Sequence, residues 1–125
     1  MPTIQKFEDL ECWKEARTLV NLVHAFINKS NSTSFKLVDQ ISSASVSVMS
    51  NIAEGFASQT NPEFIRFLKM SRRSTSEVQS LAYVFKDIAH LEKNDFASLY
   101  EQCKKCRKLI DGLLRYLRAQ QNRRT

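Results

Sequence analysis

The chain has 125 residues, enough for one domain that buries roughly two-thirds of its unfolded surface but not for two. It contains only two glycines and two prolines, so a turn-rich β architecture is disfavoured and long helices are expected. We therefore predict that residues 1–125 form a single helical domain. The formal net charge is +6, and the excess lies in the second half, where residues 63–125 carry fourteen Lys or Arg and seven Asp or Glu.

The first helix is predicted to cover residues 7–28, where apolar side chains recur at three- and four-residue steps. The polar residues 29–34 interrupt this pattern. A second helix is predicted over residues 35–57, where Ser and Ala fill many of the positions beside its apolar stripe. Such small side chains favour the close approach of a neighbouring helix.

The third helix has the best-marked beginning, because Asn61 is predicted to cap it and a proline follows as its first residue. This helix is predicted to cover residues 62–90. Asn94 or Asp95 is predicted to cap the fourth helix, whose apolar residues again alternate between three- and four-residue steps. Residues 119–125 are predicted to form a frayed basic tail.

Four amphipathic helices with short connections predict an all-α fold, an antiparallel up-down-up-down four-helix bundle. The third helix carries more apolar surface than one bundle requires, since a second stripe lies about 100° from the first. The residues of this stripe are Phe67, Met70, Leu81, Val84 and Ile88. We expect another subunit to cover them in a homo-oligomer. The alternative is that helix ends or loops cover them.

Basic side chains on the outer faces of the third and fourth helices are candidates for nucleic-acid binding. They are Arg66, Lys69, Arg73, Lys104, Lys108, Arg115 and Arg118. In an antiparallel hairpin the two rows converge near one end, as cooperative phosphate binding requires. The alternative is a merely solvated basic face, neutralised by the acidic residues Glu8, Asp9 and Glu11. No stacking aromatic except Tyr116 is interleaved with the cations, so sequence-specific readout is not expected.

A polar cluster of Ser50, Asn51 and Glu54 lies near the end of the second helix. Across the hairpin to the third helix, Glu54 is predicted to reach Arg66. A partly buried ion pair between them would fix how the two helices meet. We interpret the cluster as structural.

Other chemistry is disfavoured by the residues present. Cys103 and Cys106 form a CxxC, but both lie on the predicted core stripe and two further zinc ligands are lacking, so they are interpreted as buried thiols. A di-iron bundle requires two Glu-x-x-His motifs, and neither His24 nor His90 is preceded by the required glutamate. We predict no enzyme, metal or cofactor. No apolar run suits a signal peptide or membrane span, so a cytoplasmic protein without a membrane partner is expected.

Several motifs resemble the four-helix-bundle family of 23S rRNA-intervening sequence proteins. They are FEDL at 7–10, WKEA at 13–16, SNIAEGF at 50–56 and EFIRFL at 63–68, and the resemblance spans about 7–91. It implies a ring, with a pentamer favoured, and a family whose members generally lack an established activity. A related bundle, the accessory variability protein of diversity-generating retroelements, is a basic pentameric partner of a reverse transcriptase and nucleic acid.

The expected function is therefore a non-enzymatic, ring-forming adaptor whose basic surface binds RNA or another nucleic acid, with a protein partner also expected beside it. The alternative is a homo-oligomeric assembly or protein-interaction module with no nucleic-acid role.

Overall fold

The computed structural model describes residues 4–30 and 34–123, and these residues form four α-helices and one 3₁₀ turn, with no strand among them. The helices are α1 (Glu11–Lys29), α2 (Phe35–Ala57), α3 (Asn61–Ile88) and α4 (Lys93–Arg123). The 3₁₀ turn, Phe7–Asp9, precedes α1. The bounds predicted for the second helix are those of α2.

The four helices pack around one core with antiparallel neighbours. Each helix contacts the next along the chain, and α1 also contacts α4, which closes a four-sided bundle. Lys29 at the end of α1 lies 3.6 Å from Asp95 at the start of α4, and Gln102 donates a hydrogen bond of 2.9 Å to the carbonyl oxygen of Glu15. The predicted all-α antiparallel bundle is confirmed.

Apolar stripes from all four helices meet in the core. Phe26 of α1 and Phe85 of α3 pack edge to face with ring centroids 5.3 Å apart. Burying one such side chain contributes roughly 1.5–3 kcal/mol. Other fully enclosed large residues are Leu19, Ile41, Ile52, Leu68, Leu99, Ile110 and Leu117.

Small residues bring α2 and α3 close together. The Ser71 hydroxyl donates a hydrogen bond of 2.6 Å to the carbonyl oxygen of Val48 inside the core. A Cβ atom placed on Gly55 would lie 2.8 Å from Cδ1 of Phe64 and 2.9 Å from Cβ of Phe67, closer than real Cβ contacts allow. Close packing therefore excludes a side chain at Gly55.

Two helix beginnings differ from the prediction. The first helix was expected from Phe7, but Leu10 has extended backbone angles between the 3₁₀ turn and α1, which lets its side chain enter the core. The cap of α3 is Thr60 and not Asn61, because the Thr60 hydroxyl accepts a hydrogen bond of 3.4 Å from the Glu63 amide. Asn61 is already helical.

The fourth helix also differs at both ends. Since α4 begins at Lys93, Asn94 and Asp95 lie in its first turn and do not cap it. Of the tail predicted as frayed, the part through Arg123 belongs to α4. Residues 124–125 lie outside the described part of the chain.

Candidate nucleic-acid interface

A groove with a strong excess of positive charge runs along the outer junction of α3 and α4. We call it the basic groove, and it has a volume of about 350 Å³. It is lined by five basic residues, one acidic residue and one leucine, namely Lys69, Arg72, Arg73, Arg115, Arg118, Asp111 and Leu114. An ion pair crosses the junction, with Nε of Arg72 2.6 Å from Oδ1 of Asp111.

The structure brings together six of the seven predicted cations. Four of them, Lys69, Arg73, Arg115 and Arg118, line the basic groove itself. The other two, Lys104 and Lys108, line a neighbouring depression of about 270 Å³ that shares Asp111 and Arg115 with the basic groove.

Arg66 is separate from these cations, because it pairs with Glu63 three residues earlier on α3. Their side chains form two hydrogen bonds of 3.1 and 3.0 Å. These bonds lower the pKa of Glu63 and raise the pKa of Arg66. This exposed pair offsets part of the charge of Arg66.

Most of the grouped cations lack an acidic partner. Lys104 lies 3.7 Å from Glu101, which is a weak surface pair. Within residues 4–30 and 34–123, no ion pair involves the remaining predicted cations of the two depressions, namely Lys69, Arg73, Lys108, Arg115 and Arg118. Their charge is available to a ligand.

Of the acidic residues expected to neutralise this surface, Glu11 lies beside two of its cations, whereas Glu8 and Asp9 do not line the basic groove. Glu11 shares a groove between α1 and α4 with Lys108 and Arg115, but its carboxylate pairs with Lys14 at 3.3 Å. Glu8 and Asp9 belong to the 3₁₀ turn, and neither lines the basic groove. Asp111 is the acidic residue that lines it.

Arg72 and Arg107 were not predicted as site residues. Nε of Arg107 donates a hydrogen bond of 3.2 Å to the Thr75 hydroxyl, and Nη2 donates one of 3.1 Å to the Ser76 hydroxyl. Nη2 also donates to the side-chain oxygen of Gln79. All three acceptors are neutral, so Arg107 is held in place with its charge uncompensated.

Three aromatic residues at the same junction were missed as well, since the sequence pointed to Tyr116 alone. The Tyr83 ring lies 4.8 Å from that of Phe96 and 6.0 Å from that of Tyr100 between centroids. The Lys86 ammonium stands 4.7 Å from the centre of the Phe96 ring. Tyr83 is one turn beyond Gln79, and the contacts of Gln79 with Tyr100 and Arg107 show that this side of α3 faces α4.

The predicted apolar interface on α3 is half covered by the chain itself. Phe67, Met70 and Leu81 are partly buried, and Leu81 packs against the core. Val84 and Ile88 remain accessible, with exposed fractions of 37% and 63%. The free part of the band therefore lies at the C-terminal end of α3.

The predicted polar cluster does not form its ion pair. Asn51 donates hydrogen bonds of 2.9 Å to the carbonyl oxygen and the hydroxyl of Ser47, within α2. Ser50 and Glu54 are exposed. In the described part of the chain no ion pair joins Glu54 to Arg66, because Glu63 is the nearer partner on the same helix.

The three cysteines are free and buried. Burial raises the pKa of Cys12, Cys103 and Cys106 to about 12. Among the residues that the structure covers, no group of three or more His, Cys, Asp or Glu could hold a metal ion. None of the described helices has the length and hydropathy required to span a bilayer.

The family model described as 23S rRNA-intervening sequence protein matches residues 8–112. A crystal structure of a protein of unknown function from the S23 ribosomal protein family of Bacteroides thetaiotaomicron VPI-5482 has a TM-score of 0.69, and its 19% identity supports a shared fold alone. The similarity covers 82% of this chain and 94% of that one. No curated protein matches the chain. Because the family match covers most of its length, the chain belongs to the 23S rRNA-intervening sequence protein family.

Proposed function

We propose that this protein is a cytoplasmic, non-enzymatic, ring-forming adaptor that binds RNA or another nucleic acid through the basic groove. The observation that carries the proposal is the composition of that groove, five basic side chains against one acidic side chain. Such a row of cations suits the phosphate backbone of a nucleic acid, because each contact between a cation and a phosphate releases condensed counterions. The accessory variability protein, which we take to be a related bundle, is a partner of nucleic acid, and this analogy supports the same role.

The arrangement favours contacts to phosphates over contacts to bases in a duplex. The basic groove follows the junction of two long helices, and apart from Leu114 the side chains that line it are charged. Phosphate contacts of this kind give affinity without sequence preference. We therefore expect binding that depends strongly on salt and weakly on sequence.

The assembly half of the proposal rests on the exposed apolar residues at the end of α3. Val84 and Ile88 are accessible in the single chain, and another subunit would remove them from water. This surface also favours the second candidate function, a homo-oligomeric or protein-interaction module that binds no nucleic acid.

Titration of a labelled structured RNA at two salt concentrations separates the two candidates. If the five basic residues of the groove each contact a phosphate, affinity should fall roughly 100- to 500-fold between about 50 and 200 mM salt. Fluorescence anisotropy measures this directly. Absence of binding at the lower salt concentration would reject the nucleic-acid role and leave the interaction module.

A pair of matched variants locates the contacts. The double change Arg73→Glu and Arg118→Glu should weaken binding and lower the slope of log affinity against log salt by about two. The double change Lys36→Glu and Lys93→Glu alters the charge equally at the opposite end of the bundle and should leave the slope unchanged. Equal losses in both variants would show that net charge, and not the basic groove, drives binding.

A further inference from the structure

The junction of α3 and α4 carries an exposed aromatic residue at one end and cations along the rest. We propose that it binds single-stranded nucleic acid, with one base stacked on Tyr83 and the phosphates following Arg107 and the basic groove. This inference rests on the proposed nucleic-acid function and specifies its ligand. Single-strand binders combine these two elements, an aromatic platform and a basic track.

Tyr83 has the properties of a stacking platform. Phe96 and Tyr100 pack against it, with centroid distances of 4.8 and 6.0 Å, and these contacts fix the orientation of its ring. Nevertheless its exposed fraction is 49%. The ring is therefore held in place while about half of its surface is free. Because its orientation is already fixed, a base can stack on it with little further ordering of the protein.

Arg107 supplies a fixed charge next to this platform. Gln79 connects the two, because its Nε2 donates a hydrogen bond of 3.4 Å to the carbonyl oxygen of Tyr100 while its Oε1 accepts from Arg107. Thr75 is oriented in the same way, since its hydroxyl donates to the carbonyl oxygen of Arg72 at 2.6 Å. These partners orient the guanidinium without neutralising it, which suits a phosphate oxygen.

The order of residues along α3 defines a track. From Tyr83 the junction passes Arg107 and then the Arg72–Asp111 pair before it reaches Lys69, a rise of roughly 21 Å along the helix. A single strand can turn one base onto Tyr83 while its backbone continues along the cations. A duplex keeps its bases stacked inside, so Tyr83 could contact only its outer surface.

The test compares an unstructured labelled RNA strand of about 16 nucleotides with the duplex formed by the same strand. At equal low salt the single strand should bind at least about fivefold more tightly, which corresponds to one stacked base. Tyr83→Leu retains apolar bulk without an aromatic face and should abolish this preference, whereas Tyr83→Phe should retain it. Duplex binding as tight as single-strand binding, or a Tyr83→Leu variant with the original preference, would overturn the inference.

Two further variants test the aromatic platform and the fixed charge one at a time. Tyr116→Leu changes a tyrosine of similar exposure, 38%, that lines neither of the two basic depressions, and it should have no effect. Arg107→Gln should lower the salt slope by about 0.7, the value for one phosphate of a single strand. If Tyr83→Leu changes the native mass but not the preference for single strands, Tyr83 is an interface residue and the inference is wrong. Wild-type protein that binds neither RNA form would instead reject the proposed function itself.

Discussion

Gly55 lies where α2 packs tightly against α3, and a single methyl group there should be costly. The added Cβ would lie 2.8 Å from the Phe64 ring and 2.9 Å from Cβ of Phe67. Overpacking of this kind costs about 1–3 kcal/mol. We predict that Gly55→Ala lowers the free energy of unfolding by that amount, as measured by urea denaturation.

Gly112 provides the control within the same chain. It lies inside α4, and the nearest atom to a Cβ placed there is Nη2 of Arg115 at 3.7 Å, an ordinary contact. Because alanine stabilises a helix interior relative to glycine, Gly112→Ala should raise the free energy of unfolding by about 0.5–1 kcal/mol. Equal effects of the two substitutions would show that helix propensity, and not packing, determines the result at Gly55.

At the scale of the element, the beginning of α3 depends on one hydroxyl group. Thr60 accepts a hydrogen bond from the Glu63 amide, whereas Nδ2 of Asn61 is enclosed and has no hydrogen-bond partner among residues 4–30 and 34–123. Removing a cap typically costs about 1 kcal/mol. We predict that Thr60→Ala lowers the midpoint of thermal unfolding measurably, while Asn61→Ala has a smaller effect. A larger loss of thermal stability in Asn61→Ala than in Thr60→Ala would show that Asn61 caps the helix.

The helices could be predicted from the sequence because their periodicity is strong, and so could both ends of α2, but the beginnings of α1, α3 and α4 could not. Threonine and asparagine are both good caps, and the choice of Thr60 follows from its extended backbone next to Gln59, whose φ is +67°. Likewise, an alternation of three- and four-residue steps along the fourth helix passes from Ile110 to Leu113, whereas Leu114 is the more buried residue. A helix of 3.6 residues per turn drifts away from an alternation of three and four over its length.

Most cations of the basic groove could be predicted from the sequence, but the roles of Arg107 and Tyr83 beside it could not. Cations opposite the core stripes must face water, so Lys69 and Arg115 could be placed from spacing alone. Arg107 and Tyr83 flank the core stripe at the boundary between α3 and α4, where the direction of a side chain depends on the register of the two helices. The contact of Arg107 with Gln79 shows this register, and the sequence could not supply it.

At the scale of the whole molecule, the exposed apolar residues at the C-terminal end of α3 are the surface through which we expect subunits to assemble. We predict that the wild-type chain forms an oligomer and that Val84→Glu combined with Ile88→Glu shifts its native mass toward one subunit, because charges would then occupy an apolar interface. Native mass spectrometry measures this. The control is Val46→Glu, an exposed valine on α2, which should leave the mass unchanged.

A wild-type protein of single-chain mass would contradict the assembly half of the proposed function. A Val46 variant that also dissociates would instead show that the interface includes α2. Either result would leave the RNA titration to be interpreted separately, because the basic groove lies on residues of one chain.

The three enclosed cysteines have a consequence for how opening of the bundle can be observed. Cys12 belongs to α1 and Cys106 to α4, and the two thiols are close enough to influence each other's ionisation. Alkylating reagents attack the thiolate, and with a pKa of about 12 each site holds almost none at neutral pH. Labelling of an enclosed thiol therefore requires the packing around it to open. The rate of labelling therefore reports how often the bundle opens, and the measurement requires no engineered probe.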